Sequence, residues 1–249
     1  MSDAPVLGID IGGSGIKGAP VDLVAGDFTA TRVRIPTPAK STPANVATVV
    51  AEIVAAFADQ IGDGPIGVTI PAVVTHGRTR SAANIDPSWI DAPAEEIFAD
   101  ALGRKVVLVN DADAAGLAEV KFGAARDNDG LVLVTTLGTG IGSALIYRGV
   151  LVPNTELGHL EIDGHDAETQ AAASVKTALK LSYDEYVPRL QRYYETVEAL
   201  FWPDLFVVGG GVSKDSEKYL PQLRLKTPIV PAALRNRAGI IGAAWLAAN

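Results

Sequence analysis

The sequence predicts a mixed α/β protein in which one scheme is used twice, and three observations predict it. GIDIGGSGIKG (residues 8–18) and TTLGTGIGSAL (135–145) are glycine-rich turns of one kind, set about half the chain apart. Each follows a short apolar run, 6–11 in the first half and 131–136 in the second, and each leads into another β-rich run. Around them, strand-like segments alternate with segments whose apolar residues recur at helical spacing.

Taken in order, residues 5–11 read as a buried strand. Strands at 20–24 and 30–35 follow, joined at Gly26-Asp27 in a hairpin-like turn. Residues 43–61 then switch to helical spacing, with Val46, Val49, Val50, Ile53, Phe57 and Ile61 on one stripe and Pro43 where a first turn tolerates it. Strands at 66–70 and 106–109, with a helix at 94–102 between them, complete the first half. An alanine-rich helix at 112–122 leads on.

The second half repeats the plan: strand 131–136, glycine turn, strand 143–147, a turn at Arg148-Gly149, and strand 150–153. A helix at 188–201 follows, with Pro188 in its first turn, then strand 205–208 ending in Gly209-Gly210-Gly211. The segment 238–248 is apolar and helical in composition. Strand–strand–strand–helix–strand–helix in each half is a duplicated ribonuclease-H-like arrangement of the actin/hexokinase type. The expectation is two α/β lobes, 1–112 and 113–237, with a central cleft and the closing helix 238–249 joined to the first lobe.

Composition narrows the function classes. The chain has 249 residues, 48% hydrophobic and 20% charged, which fits a folded enzyme with a substantial core. It has no cysteine, so disulfides and thiolate zinc sites are impossible and a cytoplasmic setting is expected. Residues 1–15 carry Asp3 and Asp10 and show no basic and apolar leader pattern, while the apolar stretch 240–248 is too short to span a bilayer. A net charge of −8 disfavours a nucleic-acid surface. Basic groups for a polyanionic ligand must therefore be concentrated in one groove.

A glycine-rich bend between strands lets backbone N–H groups face a phosphate with no side chain in the way. Gly13-Ser14-Gly15-Ile16-Lys17-Gly18 matches the dinucleotide fingerprint G-x-G-x-x-G, but that fingerprint opens a helix, and 19–23 reads as a strand. Neither a Walker A sequence nor a protein-kinase catalytic loop is present. Tight turns without a ligand are the bland alternative; three glycine clusters at predicted strand ends argue against it. Asp10, just before the first turn, would repel phosphate unless it held Mg²⁺, directly or through water. Lys17 either adds positive charge to the donor phosphates or is a solvated surface lysine.

Asn110-Asp111 closes the strand at 106–109, at the end where α/β sheets place ligands. Glu156-Leu157-Gly158-His159 and Glu168 form a second polar group. An Asn, an Asp, two Glu and a His offer the donors and acceptors that a polyhydroxylated sugar needs. The alternatives are an N-cap role for Asp111, an exposed helical position for Glu168 and a structural role for His159.

DIGGSGIKG, VNDADAAGLAE, TTLGTGIGSAL, ELGHLEI and FVVGGGVS, in this order, resemble the ROK family of repressors and sugar kinases, over nearly the whole chain. More narrowly, TLGTGIGSALIYRGVLVPNTELGHLEIDGH and WPDLFVVGGGVSK resemble the actinobacterial polyphosphate glucokinases. The resemblance implies transfer of a phosphoryl group from inorganic polyphosphate, or from ATP, to the 6-hydroxyl of glucose, with Mg²⁺ as cofactor and a homodimeric assembly. It places the catalytic base at Asp111 and the sugar contacts at Asn110, Glu156, His159 and Glu168, with Asn84 a weaker candidate. It matches Asp10, Gly12, Gly13, Thr136, Gly138, Thr139 and Gly140 to the phosphate-binding segments and Gly209, Gly210 and Gly211 to the nucleotide or distal-phosphate segment; Ser14 and Lys17, in the first turn, are further candidates for phosphate. The cysteine-rich zinc loop usual after the Gly-His pair is replaced by Asp163-Gly164-His165-Asp166-Ala167, so no zinc is expected. The Pro-Gly often found in the sugar loop reads Pro71-Ala72 here.

Three other readings stay open at this stage. An ATP-dependent glucokinase and a kinase of broader hexose range, including mannose, share the motifs. A sugar-sensing repressor needs a helix-turn-helix ahead of the sugar domain, and Asp10 already begins the phosphate motif. Lys17, Lys214 and Lys218 are the candidate contacts for a polyphosphate chain; a solvated helix face is the alternative for the latter two.

Overall fold

The computed structural model describes residues 4–82 and 85–249. Its first strands are β1 (Val6–Gly12), β2 (Gly15–Asp22), β3 (Asp27–Phe28) and β4 (Val33–Ile35). Helix α1 (Pro43–Ala56), β5 (Ile66–Ile70), the small ribbon β6 (Val74–Thr75) and β7 (Arg78–Thr79), and α2 (Ala94–Leu102) come next. Strand β8 (Val106–Asn110) runs directly into α3 (Asp111–Phe122). Then follow β9 (Leu131–Leu137), β10 (Ile141–Tyr147), β11 (Val150–Val152), β12 (Glu161–Ile162), β13 (His165–Asp166), α4 (Glu168–Ala171), α5 (Ala173–Ala178) and α6 (Tyr183–Phe201). Strands β14 (Leu205–Gly209) and β15 (Ile229–Pro231) and helix α7 (Ala238–Ala248) close the chain. Two compact units result, residues 1–118 with 237–249, and residues 119–236. Among the described residues, no helix is long and apolar enough to cross a membrane.

The first unit has a six-stranded sheet in the order β3-β2-β1-β5-β8, with β4 also on β2. Strands β1 and β2 are antiparallel, with β5 parallel to β1 and β8 parallel to β5. Helix α1 starts with a Thr42 cap and Pro43 and buries Val46, Val49, Val50 and Ile53, the stripe its spacing predicts. It ends at Ala56 rather than Ile61 because 57–60 tighten into three-residue turns, Phe57 N–H to Val54 O and Gln60 N–H to Phe57 O. Helix α7 belongs to this unit. Cβ atoms on Gly8 and Gly67 would lie 1.9 Å from the carbonyl oxygens of Ile240 and Ala243, so the helix backbone rests directly on β1 and β5.

The second unit repeats that topology as β11-β10-β9-β14-β15, a hairpin-linked meander followed by two parallel strands. Helix α6 packs on it: Tyr194 lies edge-on to Phe206 at 5.3 Å, and its buried hydroxyl pairs with Thr135 Oγ1 at 2.7 Å. A capping box, Ser182 with Glu185, starts α6 at Tyr183, so Pro188 sits inside the helix and not in its first turn as the sequence pattern indicated. Likewise β2 begins at Gly15, not at residue 20, because the pairs Ile11–Ile16 and Gly12–Gly15 zip the hairpin shut up to Gly13-Ser14.

Candidate active site

In the first unit the hairpin register places Asp10 opposite Lys17, with Lys17 Nζ 3.2 Å from Asp10 Oδ2. The fully buried Thr69 donates from Oγ1 to Asp10 Oδ1 at 3.0 Å across the β1–β5 pair. Both carboxylate oxygens are held, and the Lys17 charge is shared with Asp10. Gly13 and Ser14 are the exposed tip of the turn, and Thr37 Oγ1 donates to Gly12 O at 2.5 Å. The motif alone misses Arg34. It stands opposite Lys17 in the β2–β4 register, and its Nη2 donates to Ser14 O at 2.9 Å. Its strand is within the 30–35 run the sequence indicates, but the pairing that brings Arg34 to the turn comes from the β2–β4 register.

Strand β8 leads without a break into α3, which brings Asn110 and Asp111 to the sheet's carboxyl edge. Asn110 is buried, and it is Asn110 that caps the helix: Oδ1 accepts from the N–H groups of Ala112 (2.8 Å) and Asp113 (3.1 Å), while Nδ2 donates to Ala72 O at 3.1 Å. Asp111 is half-buried at the first helical position and accepts from Ala112 N–H at 2.8 Å. The candidate Asn84 lies outside the described residues.

In the second unit three candidate segments converge on one residue, Ile141, at the start of β10. Its N–H donates to Glu168 Oε2 at 3.0 Å. Its carbonyl oxygen lies where a Cβ on Gly158 would be 2.2 Å away, so the Glu156–His159 segment can pass only with glycine at 158. Ser143, two residues on and buried, takes Leu157 N–H on its Oγ at 3.0 Å and donates to Thr155 O at 2.5 Å. The second glycine turn is held from the other end by Ser174, whose N–H reaches Gly138 O at 3.0 Å and whose Oγ reaches Thr139 O at 2.6 Å.

The third glycine cluster meets the second at a strand end. Gly209 pairs with Thr136, and Gly210 adopts φ 83° against the Leu137 backbone. Gly138 and Gly211 differ from these, since nothing lies within 4 Å of a Cβ built on either and neither has a left-handed φ. Neither packing nor a left-handed backbone requires glycine at those two positions, so both turns present open backbone there.

Titration behaviour is shaped by the same cluster. His159 Nδ1 lies 2.8 Å from Asp166 Oδ2; that hydrogen bond, aided by the Glu168 and Glu156 charges, raises the imidazole pKa against a smaller opposing effect of burial. Glu156 is exposed as a residue, yet partial burial of its carboxyl raises its pKa, with His159 opposing and Glu168 adding to the rise. Lys214 and Lys218 lie in the 3-10 segment Gly211–Lys218, and Lys218 is paired with Asp215 at 2.7 Å. Lys176, which no motif marks, stands over the Tyr183 ring at 4.3 Å.

The ROK family model matches residues 6–175, and the chain belongs to the ROK family. Its fold is that of the ROK sugar kinases. It is 51% identical over 239 residues to a polyphosphate glucokinase of Mycobacterium tuberculosis, covering 96% of this chain and 89% of the relative. A polyphosphate glucokinase of Mycobacterium leprae is 50% identical, covering 96% and 73%. The solved inorganic polyphosphate/ATP-glucomannokinase of Arthrobacter sp. strain KM superposes with a TM-score of 0.94 at 55% identity, covering 98% of each chain.

Proposed function

We propose that this sugar kinase transfers the terminal phosphoryl group of inorganic polyphosphate to the 6-hydroxyl of glucose, acting in the cytoplasm as a homodimer. The observation that carries the reading is the convergence on Ile141. Through one residue, the second glycine turn is tied both to Glu168 and to the Glu156–His159 segment, so phosphate and sugar groups are set by common backbone. Relatives at about half identity that are named for this reaction support it.

In this reading Asp111 accepts the proton of the 6-hydroxyl as it attacks the terminal phosphorus, because a primary alcohol is a poor nucleophile at neutral pH. Glu156, His159 and Glu168 orient the ring through its other hydroxyls, and Asn110 keeps one amide proton for that purpose after capping α3. Phosphoryl transfer needs alignment and neutralisation of charge more than covalent help. The open backbone at Gly138 and Gly211 lets the donor approach closely, the Gly138 N–H itself being donated to Gly140 O at 3.0 Å, and Lys17 and Arg34 supply positive charge at the first turn. Asp10 suits Mg²⁺, a hard cation that takes one or two carboxylates and keeps most of its water; when bound, it neutralises the donor oxygens.

Initial rates with glucose or mannose against polyphosphate, ATP and no donor test the reading. Polyphosphate is expected to serve at least as well as ATP. Its apparent affinity should fall more steeply with salt, because a long polyanion engages more charges that ions can screen. The two donors should also exclude each other. Turnover with ATP but none with polyphosphate, across chain lengths and salt, would instead favour an ATP-dependent glucokinase, and comparable rates on mannose a broader hexose kinase.

The cofactor reading makes a separate prediction. Chelated enzyme should lose activity and recover with Mg²⁺ alone, and metal analysis of active enzyme should find no stoichiometric zinc. Recovery only with zinc would overturn it.

A further inference from the structure

The β12–β13 hairpin, where the family's cysteine-rich loop is absent, is built from carboxylates. Asp163 and Gly164 form its tip with φ of 55° and 77°. Arg192 of α6 grips that tip with two bonds, Nε to Asp163 Oδ2 and Nη2 to Asp163 Oδ1, both 2.8 Å. The hairpin thereby delivers Asp166 to a fixed place. Its Oδ2 lies 2.8 Å from His159 Nδ1, its Oδ1 accepts Glu168 N–H at 3.2 Å, and its backbone oxygen accepts from Thr169 Oγ1 at 2.6 Å. One side chain touches two of the proposed sugar contacts.

We infer that Asp166 is the positioning residue of the sugar site, accepting the Nδ1–H of His159 so that Nε2 is the ring atom left for a sugar hydroxyl, and seating Glu168 through its backbone. The inference rests on the sugar-binding reading of His159 and Glu168 given above. A carboxylate on one imidazole nitrogen fixes both the tautomer and the ring orientation, which a hydroxyl acceptor or donor at the other nitrogen needs. The raised imidazole pKa agrees with this pairing.

Ligand atoms of His159, Asp166 and Glu168 all lie within 4.8 Å of one another, so a metal is the competing explanation. The geometry does not fit tetrahedral zinc. Ligands about 2.0–2.1 Å from a tetrahedral zinc stand about 3.3 Å apart, whereas Nδ1 and Oδ2 are at hydrogen-bonding distance. Glu168 Oε2 is already committed to Ile141 N–H. The 2.8 Å pair is that of a hydrogen bond between His159 and Asp166, which favours a shared proton over zinc.

The chain has three histidines, so ¹⁵N-imidazole NMR resolves His159, assigned with a His159→Gln variant. The wild type is expected to show the Nδ1–H tautomer above the His159 pKa. Asp166→Asn keeps an acceptor oxygen and removes the charge: the tautomer should persist, the His159 pKa should fall, and the glucose KM should rise a few-fold. Asp166→Ala should shift His159 toward Nε2–H and raise the glucose KM at least about tenfold, with kcat on polyphosphate falling much less. An unchanged tautomer and KM in Asp166→Ala would overturn the inference. If Asp166→Ala does not fold, an unchanged His159 pKa in Asp166→Asn would do so. A stoichiometric metal in the wild type that Asp166→Ala loses would replace the proton with a cation. Failure of the wild type to bind glucose by calorimetry would remove the sugar-site reading, while the tautomer would still report whether Asp166 and His159 are paired.

Discussion

Asp111→Asn is expected to lower kcat by at least about 10²-fold, within the ~10²–10⁴ that a general base contributes, while the glucose KM moves only a few-fold. The structure makes this a clean substitution. Helix α3 is capped by Asn110, which accepts from two N–H groups, so its start does not depend on the Asp111 charge. Asparagine can keep the bond from Ala112 N–H to the residue-111 side-chain oxygen, 2.8 Å in the wild type. Losing one of the two acidic residues of the first turn weakens the dipole interaction by about 0.3–1 kcal/mol. Thermal unfolding should therefore change little while turnover collapses. Rapid-quench measurement of glucose 6-phosphate formation would isolate the chemical step. A near-normal rate for that step in Asp111→Asn would remove Asp111 from the role of base.

The fold was legible in the sequence wherever period and punctuation agree. Helix α2 spans residues 94–102 and α7 spans 238–248, as their composition indicated, because each is bounded by a glycine, a proline or a charged turn. The repetition of one scheme in both halves was legible because each glycine turn follows an apolar strand, and that strand pairs in parallel with a later apolar run; the strand order within each sheet comes from the coordinates. Legibility failed between residues 160 and 178. There β12 and β13 are two residues each and α4 is four, too short for any period to show.

The candidate site divides the same way. Asn110, Asp111, Glu156 and His159 could be picked out because they stand in short polar clusters beside apolar strands. Asp166 and Arg34 could not. Their roles come from pairing across sheet registers and from a bond to a residue seven positions away, which local sequence does not encode. The same holds for the division of labour at 110 and 111: one of the two had to cap α3, and only the coordinates assign that to Asn110.

Gly210→Ala is expected to damage fold and activity together, and Gly138→Ala activity alone. Gly210 has φ 83° and ψ 179°, a region open essentially to glycine only, and a Cβ there would lie 2.2 Å from Leu137 O and 2.6 Å from Leu137 N and C. The obstruction is backbone at the end of a fully buried strand residue, so relief requires β14 and β9 to separate where Gly209 pairs with Thr136. Backbone strain of ~1–3 kcal/mol plus that displacement puts the loss at about 3 kcal/mol or more, in the range reserved for core disruption. Gly138 stands two residues from the pair and faces open space, so a methyl group meets no protein atom within 4 Å. Its stability in urea should stay within about 0.5 kcal/mol of wild type, or rise slightly, since alanine restricts the unfolded chain. In the proposed function the methyl obstructs a phosphate approaching the turn, so the polyphosphate KM should climb about tenfold or more, about 1.4 kcal/mol of lost binding, with the glucose KM unchanged. The contrast is what carries information. Equal destabilisation in the two variants would show that Gly138 serves the fold, and an unaltered donor KM in Gly138→Ala would move the phosphate contacts elsewhere.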